Sequence, residues 1–245
     1  MVSSHKPIDD SSTFIERTGI PRKVLSRLLG STKIGVGFRV LDVGCGRGDL
    51  AAYFGSLGIL YTGIDESPTK VIEARRAVPN CDFSCASPTD PIAGPKGGFD
   101  LVLVRDMSLF QKSLLSSATL AASVKLLARV RPGGCLAVLA RVDATTSSAV
   151  GHQLSCYERH VGSLPGTVEL IELPDSIILG RATRSRSAEQ TGSGYTIAVV
   201  RLPLQPMSQD EWTHAADFAA SAAGATCCQW AARGAGSVSY RSKAA

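Results

Sequence analysis

Short apolar runs alternate with stretches of helical spacing along most of this 245-residue chain. Runs that are apolar on both faces and separated by helices are typical of a parallel sheet covered on both sides. This alternation restricts the chain to an α/β fold. The apolar runs are 38–43, 60–64, 81–85, 99–104 and 135–140, and the helical candidates between them are 48–57, 67–77 and 115–130.

The pattern changes in the last third of the chain. A helix is predicted over 146–162, and apolar runs follow at 167–173, 176–180 and 195–202. No obvious helical pattern separates these last runs. We therefore expect them to close the sheet as an antiparallel hairpin.

The two ends of the chain differ from its middle. The first 36 residues form a polar lead-in with one predicted helix, and residues 205–245 are rich in alanine, which favours helix. Ser208 and Glu211 stand at the positions of a capping box at the start of that second helix. The sequence thus predicts an N-terminal helical arm (1–36), a central domain (37–204) and a helical C-terminal tail (205–245).

Charge and cysteine content limit the classes of partner and compartment. The net charge of +5 is mild, and the basic residues are scattered, which disfavours a nucleic-acid partner but leaves it open. The seven cysteines include no C-x-x-C pair, so neither a disulfide framework nor a zinc site is indicated. No apolar run approaches the roughly 18 residues of a membrane span. We expect a protein of the reducing cytoplasm, with no membrane partner.

A glycine-rich turn follows the first predicted strand. It contains Gly44, Cys45, Gly46 and Gly48, directly after Asp42. Glycines let a ligand approach the backbone, and the helix that begins after the turn offers N–H groups to a carboxylate. Asp42 supplies a negative charge for an ammonium group. These features suit the zwitterionic amino acid part of a ligand better than a pyrophosphate.

The glycine spacing separates this turn from a dinucleotide-binding one. The chain has G-x-G-x-G, whereas a dinucleotide fold has G-x-G-x-x-G. The third glycine of that pattern would fall at Asp49, whose carboxylate would lie poorly against a pyrophosphate. A nicotinamide-dependent oxidoreductase is therefore disfavoured.

An acidic pair, Asp65 and Glu66, ends the second predicted strand. Asp65 lies 21 residues after Gly44, where an acid accepts hydrogen bonds from ribose hydroxyls. Ser67 is placed to cap the next helix, with Pro68 at its first position. The two carboxylates are candidate cofactor contacts.

Three motifs in this order resemble the class I S-adenosyl-L-methionine (SAM)-dependent methyltransferases. They are DVGCGRG at 42–48 with Asp65, FDLVLVRD at 99–106, and LARVRPGG at 127–134. The resemblance covers roughly 38–142. It implies a Rossmann-like, doubly wound, seven-stranded sheet, mostly parallel with an antiparallel last strand and helices on both faces. It also implies SAM as cofactor, with its methionine part in the glycine turn and its ribose at Asp65.

The chain departs from this family at two places. The family commonly has an acid after the third strand that meets the adenine amino group, whereas alignment through Phe83 puts Ser87 there, with Asp90 three residues on. Many relatives have a histidine shortly after the fourth strand, which is absent here, so no catalytic base is carried over. Arg105 and Asp106 end that strand, and they either line the site or anchor a loop.

The expected reaction is transfer of the SAM methyl group to a nucleophile by in-line displacement. Positioning supplies much of the acceleration, because the sulfonium leaving group is already activated. A small-molecule acceptor is the first expectation, and an RNA or protein acceptor is left open. The alternative from another class is a SAM-binding protein without transferase activity, such as a sensor or partner subunit.

Two further clusters of residues allow both a structural and a functional interpretation. His152, Cys156 and His160 share one helix face, which is more simply a partly buried face than a metal site, and no metal is predicted. Arg181, Arg184 and Arg186 could clamp an anionic acceptor, but a solvated loop explains them as well.

Overall fold

The computed structural model describes residues 18–91, 94–105, 110, 114, 116–142, 154–178 and 194–221. Seven strands form one sheet in the order β3-β2-β1-β4-β5-β7-β6. All run parallel except β7, which is antiparallel to both of its neighbours, as the sequence predicts. The strands are β1 (Arg39–Val43), β2 (Leu60–Asp65), β3 (Asp82–Cys85), β4 (Phe99–Val104), β5 (Val130–Val142), β6 (Thr167–Pro174) and β7 (Gly194–Arg201).

Seven helices lie within the described residues. Their positions agree with the predicted ones, with one correction: the apolar run at 176–180 begins as helix, not strand, because β6 has already ended at Pro174. The first part of the helix predicted over 146–162 lies outside the described residues. The helices are α1 (Arg22–Thr32), α2 (Asp49–Ser56), α3 (Pro68–Ala77), α4 (Ser117–Leu127), α5 (Leu154–Gly162), α6 (Asp175–Ile178) and α7 (Gln209–Ser221).

Each face of the sheet carries its own core. Alternate residues of a strand point to opposite faces, and β4 shows this directly: Leu101 and Leu103 belong to one buried cluster, and Val102 and Val104 to the other. The first cluster includes side chains of α1, α2 and α3, and the second includes side chains of α4, α5 and α7. This is the doubly wound arrangement expected for strands that are apolar on both faces.

The two predicted helix caps form. The Ser67 hydroxyl accepts from the Lys70 backbone N–H at 3.4 Å, with Pro68 at the first helical position of α3. The Glu211 carboxylate accepts from the Ser208 backbone N–H at 2.7 Å, and the Ser208 hydroxyl accepts from the Glu211 N–H at 3.3 Å. The hydrogen bonds that the Ser208 backbone N–H and hydroxyl donate to the carboxylate lower the pKa of Glu211. Both capping predictions are therefore confirmed.

The helices at the two ends of the described chain pack onto the sheet domain. In α1, Val24, Leu25 and Leu28 are fully buried. In α7, Ala215 is buried and Trp212 is partly buried against the cluster that contains α4. None of the helices in the described ranges is both long and apolar enough to cross a bilayer.

The amino end of β4 is fixed by Asp100. Its carboxylate accepts from the Arg39 backbone N–H at 2.8 Å and pairs with the Arg131 guanidinium. These contacts connect β4 to β1 and β5 at the edge of the sheet opposite the glycine turn. Asp100 therefore has a structural role.

Candidate active site

The glycine turn lies at the carboxyl end of β1, beside the end of β2. The backbone N–H groups of Gly44 and Cys45 donate to the Ile64 carbonyl oxygen, at 2.8 and 2.9 Å. The three glycines have positive φ, with 86° at Gly44, 59° at Gly46 and 78° at Gly48. L residues are strained in this left-handed region, so the spacing of the glycines reflects the backbone shape of the turn.

Gly46 and Gly48 serve the turn in different ways. A Cβ at Gly48 would lie 2.9 Å from the Phe83 ring and 3.2 Å from the Ala74 Cβ, whereas no atom of the described residues would lie within 4 Å of a Cβ at Gly46. Gly48 thus permits close packing, and Gly46 borders open space. Gly48 is also the N-cap of α2, and a glycine at this position has no side chain with which to cap the helix. Open space beside the N-terminus of a helix whose N-cap residue is glycine fits the amino acid part of SAM.

Asp65 connects the end of β2 to the glycine turn. One carboxylate oxygen accepts from the Gly46 backbone N–H and the other from the Ser67 N–H, both at 2.9 Å. The side chain is largely buried, with 7% exposed. A carboxylate accepts about four hydrogen bonds. The two oxygens of Asp65 can therefore also receive the two hydroxyls of a ribose.

Asp42 lies beneath the turn and is completely buried. Its carboxylate accepts from the Arg105 guanidinium, at 3.1 and 3.2 Å from Nε and 3.1 Å from Nη2, and from the Tyr61 hydroxyl at 2.6 Å. Burial, together with the charge of Asp42, raises the pKa of Tyr61 well above its usual value. Tyr61 is therefore the donor in its hydrogen bond to Asp42.

Cys45 and Glu66 differ in how far their side chains are buried. The Cys45 thiol is fully buried, and burial followed by the charges of Asp42 and Asp65 raises its pKa well above the usual value. It is therefore not a nucleophile, and Cys45 contributes through its backbone. The Glu66 side chain is exposed directly after β2.

Residues 40–134 match the family model of a methyltransferase domain. These residues form a methyltransferase domain, and the resemblance to the class I SAM-dependent methyltransferases extends over them. The matched segment contains the glycine turn, Asp65 and β4, so the family assignment and the site geometry rest on the same residues. The protein is a methyl-transferring enzyme that uses SAM.

Solved structures show the same fold at low sequence identity. The [4+2]-cyclase SpnF has 18% identity and a TM-score of 0.53, over 75% of this chain and 82% of that one. Geranyl diphosphate C-methyltransferase of Streptomyces coelicolor has 12% identity and a TM-score of 0.53, over 80% and 85%. Phosphoethanolamine N-methyltransferase 2 of Haemonchus contortus has 14% identity and a TM-score of 0.56, over 80% of this chain and 61% of that longer one. No curated protein sequence matches the chain.

The segment after β3 of the methyltransferase forms a tight turn. The Ser87 backbone N–H donates to the Asp90 carboxylate at 2.7 Å, and the Asp90 N–H donates to the Ser87 carbonyl at 3.1 Å. The Ala86 N–H donates to the Asp65 carbonyl at 3.1 Å, which holds this turn next to the ribose candidate. The Asp90 carboxylate therefore lies next to Ser87, the residue that the sequence alignment puts at the place of the family's adenine-binding acid.

Several candidates can be placed only in part. Arg105 anchors the turn, whereas Asp106, His152 and the arginines at 181, 184 and 186 lie outside the described residues. His160 is fully buried, with Nδ1 2.7 Å from the Leu114 carbonyl oxygen and Nε2 3.0 Å from the Ser123 hydroxyl. It belongs to a buried helix face. Within the described ranges, no group of three or more His, Cys, Asp or Glu residues is arranged to hold a metal ion.

The sequence did not reveal that Tyr61 contacts the Asp42 carboxylate, or that Arg105 pairs with it. Tyr61 stands in a strand and reads as an ordinary core residue. The pairing of β1 with β2 could have indicated this contact, because Tyr61 lies opposite Val40, two residues before Asp42. A buried acid at a strand end needs hydrogen-bond donors, and the neighbouring strands are where such donors lie.

Alanine at Gly46 and at Gly48 should separate cofactor binding from packing. Gly46→Ala should cost about 1 kcal/mol of stability from left-handed strain and should weaken binding of S-adenosylhomocysteine (SAH), because the new methyl group enters the open space. Gly48→Ala should cost roughly 2 kcal/mol, because strain and overpacking add. Thermal unfolding and calorimetry with SAH measure the two effects. Unchanged SAH affinity in Gly46→Ala would place the cofactor elsewhere.

Asp90 should contribute more to adenine binding than Ser87. Asp90→Asn keeps an oxygen for the Ser87 N–H but loses the charge, so SAH should bind more weakly by about 0.5–1.5 kcal/mol. Ser87→Asp should bring no gain, because a second carboxylate would be repelled by Asp90. Calorimetry on both variants, with Ser87→Ala as control, makes the comparison. If neither variant changes the affinity, backbone and apolar contacts hold the adenine.

Proposed function

We propose that this enzyme transfers the SAM methyl group to a small-molecule acceptor. The glycine turn with Asp65 carries the methyl-transfer part of the proposal. The proposed class of acceptor is supported by the solved structures of similar fold. One structure of the Haemonchus enzyme contains phosphomonomethylethanolamine, and one of the Streptomyces enzyme contains geranyl diphosphate. The scattered basic residues of this chain are also a poor match for a nucleic-acid acceptor.

The site residues bind and orient rather than exchange protons. Bound SAM supplies a methyl group on a sulfonium, which is already a good leaving group. Gly46 leaves room for the amino acid part, the start of α2 receives its carboxylate, and Asp65 holds the ribose. Fixing the cofactor in this way lets proximity and orientation supply much of the acceleration.

The acceptor is expected at the carboxyl edge of β4 and β5. Ligands of open α/β sheets bind outside the carboxyl ends of the strands. The N-terminal segment reaches the same edge, because the Tyr195 hydroxyl at the start of β7 donates to the Gly19 carbonyl at 3.0 Å. The Arg141 guanidinium near the end of β5 pairs with Asp175 at 2.7 Å and lies over the Tyr195 ring. These groups border the region where an acceptor would enter.

Transfer of labelled methyl groups tests the proposal. The enzyme is incubated with methyl-labelled SAM and a cell extract, and the extract is then separated into small molecules, RNA and protein. Label in the small-molecule fraction supports the proposal, and label only in RNA or protein contradicts it. No transfer despite SAH binding would favour a SAM-binding protein without transferase activity. Binding of NAD in place of SAH would overturn the cofactor assignment.

A further inference from the structure

We infer that Arg105 is a positioning residue for the amino acid end of SAM, and that Asp42 acts through Arg105 instead of receiving the cofactor's ammonium group. The inference rests on the proposed function, because it concerns the same cofactor. It assigns to the acid of the glycine motif a role different from the one that its place in the sequence indicates.

The Asp42 carboxylate is already committed within the protein. It is fully buried and accepts hydrogen bonds from both Nε and Nη2 of Arg105 and from the Tyr61 hydroxyl. A carboxylate offers about four acceptor positions, and the guanidinium also balances its charge. An ammonium group would therefore find Asp42 both covered and neutralised.

Arg105 in turn reaches the glycine turn. Its Nη2 donates to the Cys45 carbonyl at 2.9 Å, and its backbone N–H donates to the Val43 carbonyl at 3.0 Å. One buried residue thus connects the ends of β4 and β1 to the first peptide groups of the turn. The Cys45 N–H is held by Ile64 on the other side. The shape of the turn therefore depends on the guanidinium, and Asp42 keeps the guanidinium in place.

The two possible roles of Asp42 predict opposite effects of replacing Arg105. If Asp42 received the ammonium group, removing the competing guanidinium would free the carboxylate and tighten SAH binding. If Asp42 acts through Arg105, the same change releases the Cys45 carbonyl and weakens binding. Only the amino acid part of the ligand lies in the turn, so the loss should be specific to that part.

The test measures two ligands on two variants. Calorimetry on Arg105→Gln and Arg105→Lys compares SAH with methylthioadenosine, which lacks the amino acid part. Lysine keeps the charge but lacks the planar fork that contacts both the carboxylate and the carbonyl. SAH should bind about tenfold more weakly to both variants, the scale of a lost charge-assisted hydrogen bond. Methylthioadenosine should bind nearly as it does to the parent.

A matched control lies at the other end of β4. Arg131 pairs with Asp100 there, so Arg131→Gln should lower the unfolding temperature without changing SAH affinity. Tighter SAH binding in Arg105→Gln, or equal losses for both ligands, would overturn the inference. If Arg105→Gln does not fold, Arg105→Lys decides alone. The inference is then overturned if the ratio of SAH affinity to methylthioadenosine affinity is the same in Arg105→Lys as in the parent. Absence of SAH binding in the parent would be a failure of the proposed function instead.

Discussion

Replacement of Asp65 by alanine is expected to weaken SAH binding by roughly 1.5–3 kcal/mol, the range for hydrogen bonds to a charged group. Two losses contribute to this effect. The ribose loses its acceptor, and the Gly46 N–H loses the carboxylate that holds it at 2.9 Å. The same side chain therefore both binds the cofactor and orders the turn. Calorimetry with SAH measures the loss directly.

An acid at the opposite edge of the sheet provides a control for Asp65. Asp82 carries the same charge but is exposed at the amino end of β3, so Asp82→Ala should change the affinity by no more than about 0.5 kcal/mol. Asp65→Asn keeps one acceptor oxygen, so its loss of SAH affinity should lie between the losses of the other two variants. If Asp65→Ala lowers the unfolding temperature but leaves the affinity unchanged, Asp65 only anchors the turn and the ribose is bound by other groups.

The number and direction of the strands could be predicted from the sequence and its resemblance to a known family. Strand β4 is buried along its whole length, and its sequence is apolar at every position except Asp100, as burial on both faces requires. The closing hairpin was predictable because no obvious helical pattern separates the last apolar runs. The apolar run at 176–180 was harder to assign, since a short apolar run does not distinguish a strand from a buried helical turn.

The site was predictable where it depends on local chain geometry. The glycines and Asp65 are close together in the fold because one strand end and one turn bring them there. The pairing of Asp42 with Arg105 joins residues 63 positions apart, and Tyr61 completes it from a third strand. No spacing rule in a single sequence connects these three residues. The motif acid was therefore located from the sequence, but its contacts with Arg105 and Tyr61 were not predicted.

The acceptor is not encoded in the parts of the chain that follow family spacing. Those parts build the sheet and the cofactor turn, and relatives with different acceptors share them. Selectivity is expected in the segments that leave the carboxyl edge of the sheet, after β4, β5 and β6. Segments that connect the elements of a fold commonly vary in sequence between relatives while the core is kept. This is why the fold and the cofactor follow from the sequence more directly than the substrate does.

Replacement of Leu28 by alanine should lower the free energy of unfolding by about 2–5 kcal/mol, the cost of a cavity in a packed core. The sequence reads α1 as part of an N-terminal arm, but Leu28 is fully buried in the same cluster as strand residues of β1, β4 and β5. The helix is also tied to β7, because the Arg201 guanidinium donates to the Ser31 carbonyl at 3.0 Å. Losing Leu28 should therefore weaken the sheet domain itself.

The adjacent residue tests whether this effect comes from packing. Arg27 is exposed on the same helix, so Arg27→Ala should change the stability by no more than about 0.5 kcal/mol. Urea unfolding followed by circular dichroism compares both variants with the parent, and a shifted midpoint at constant slope identifies a change in stability. A loss below about 1 kcal/mol in Leu28→Ala, less than a core Leu→Ala cavity costs, would mean that α1 detaches before the sheet unfolds. It would then behave as the separate arm that its sequence indicates.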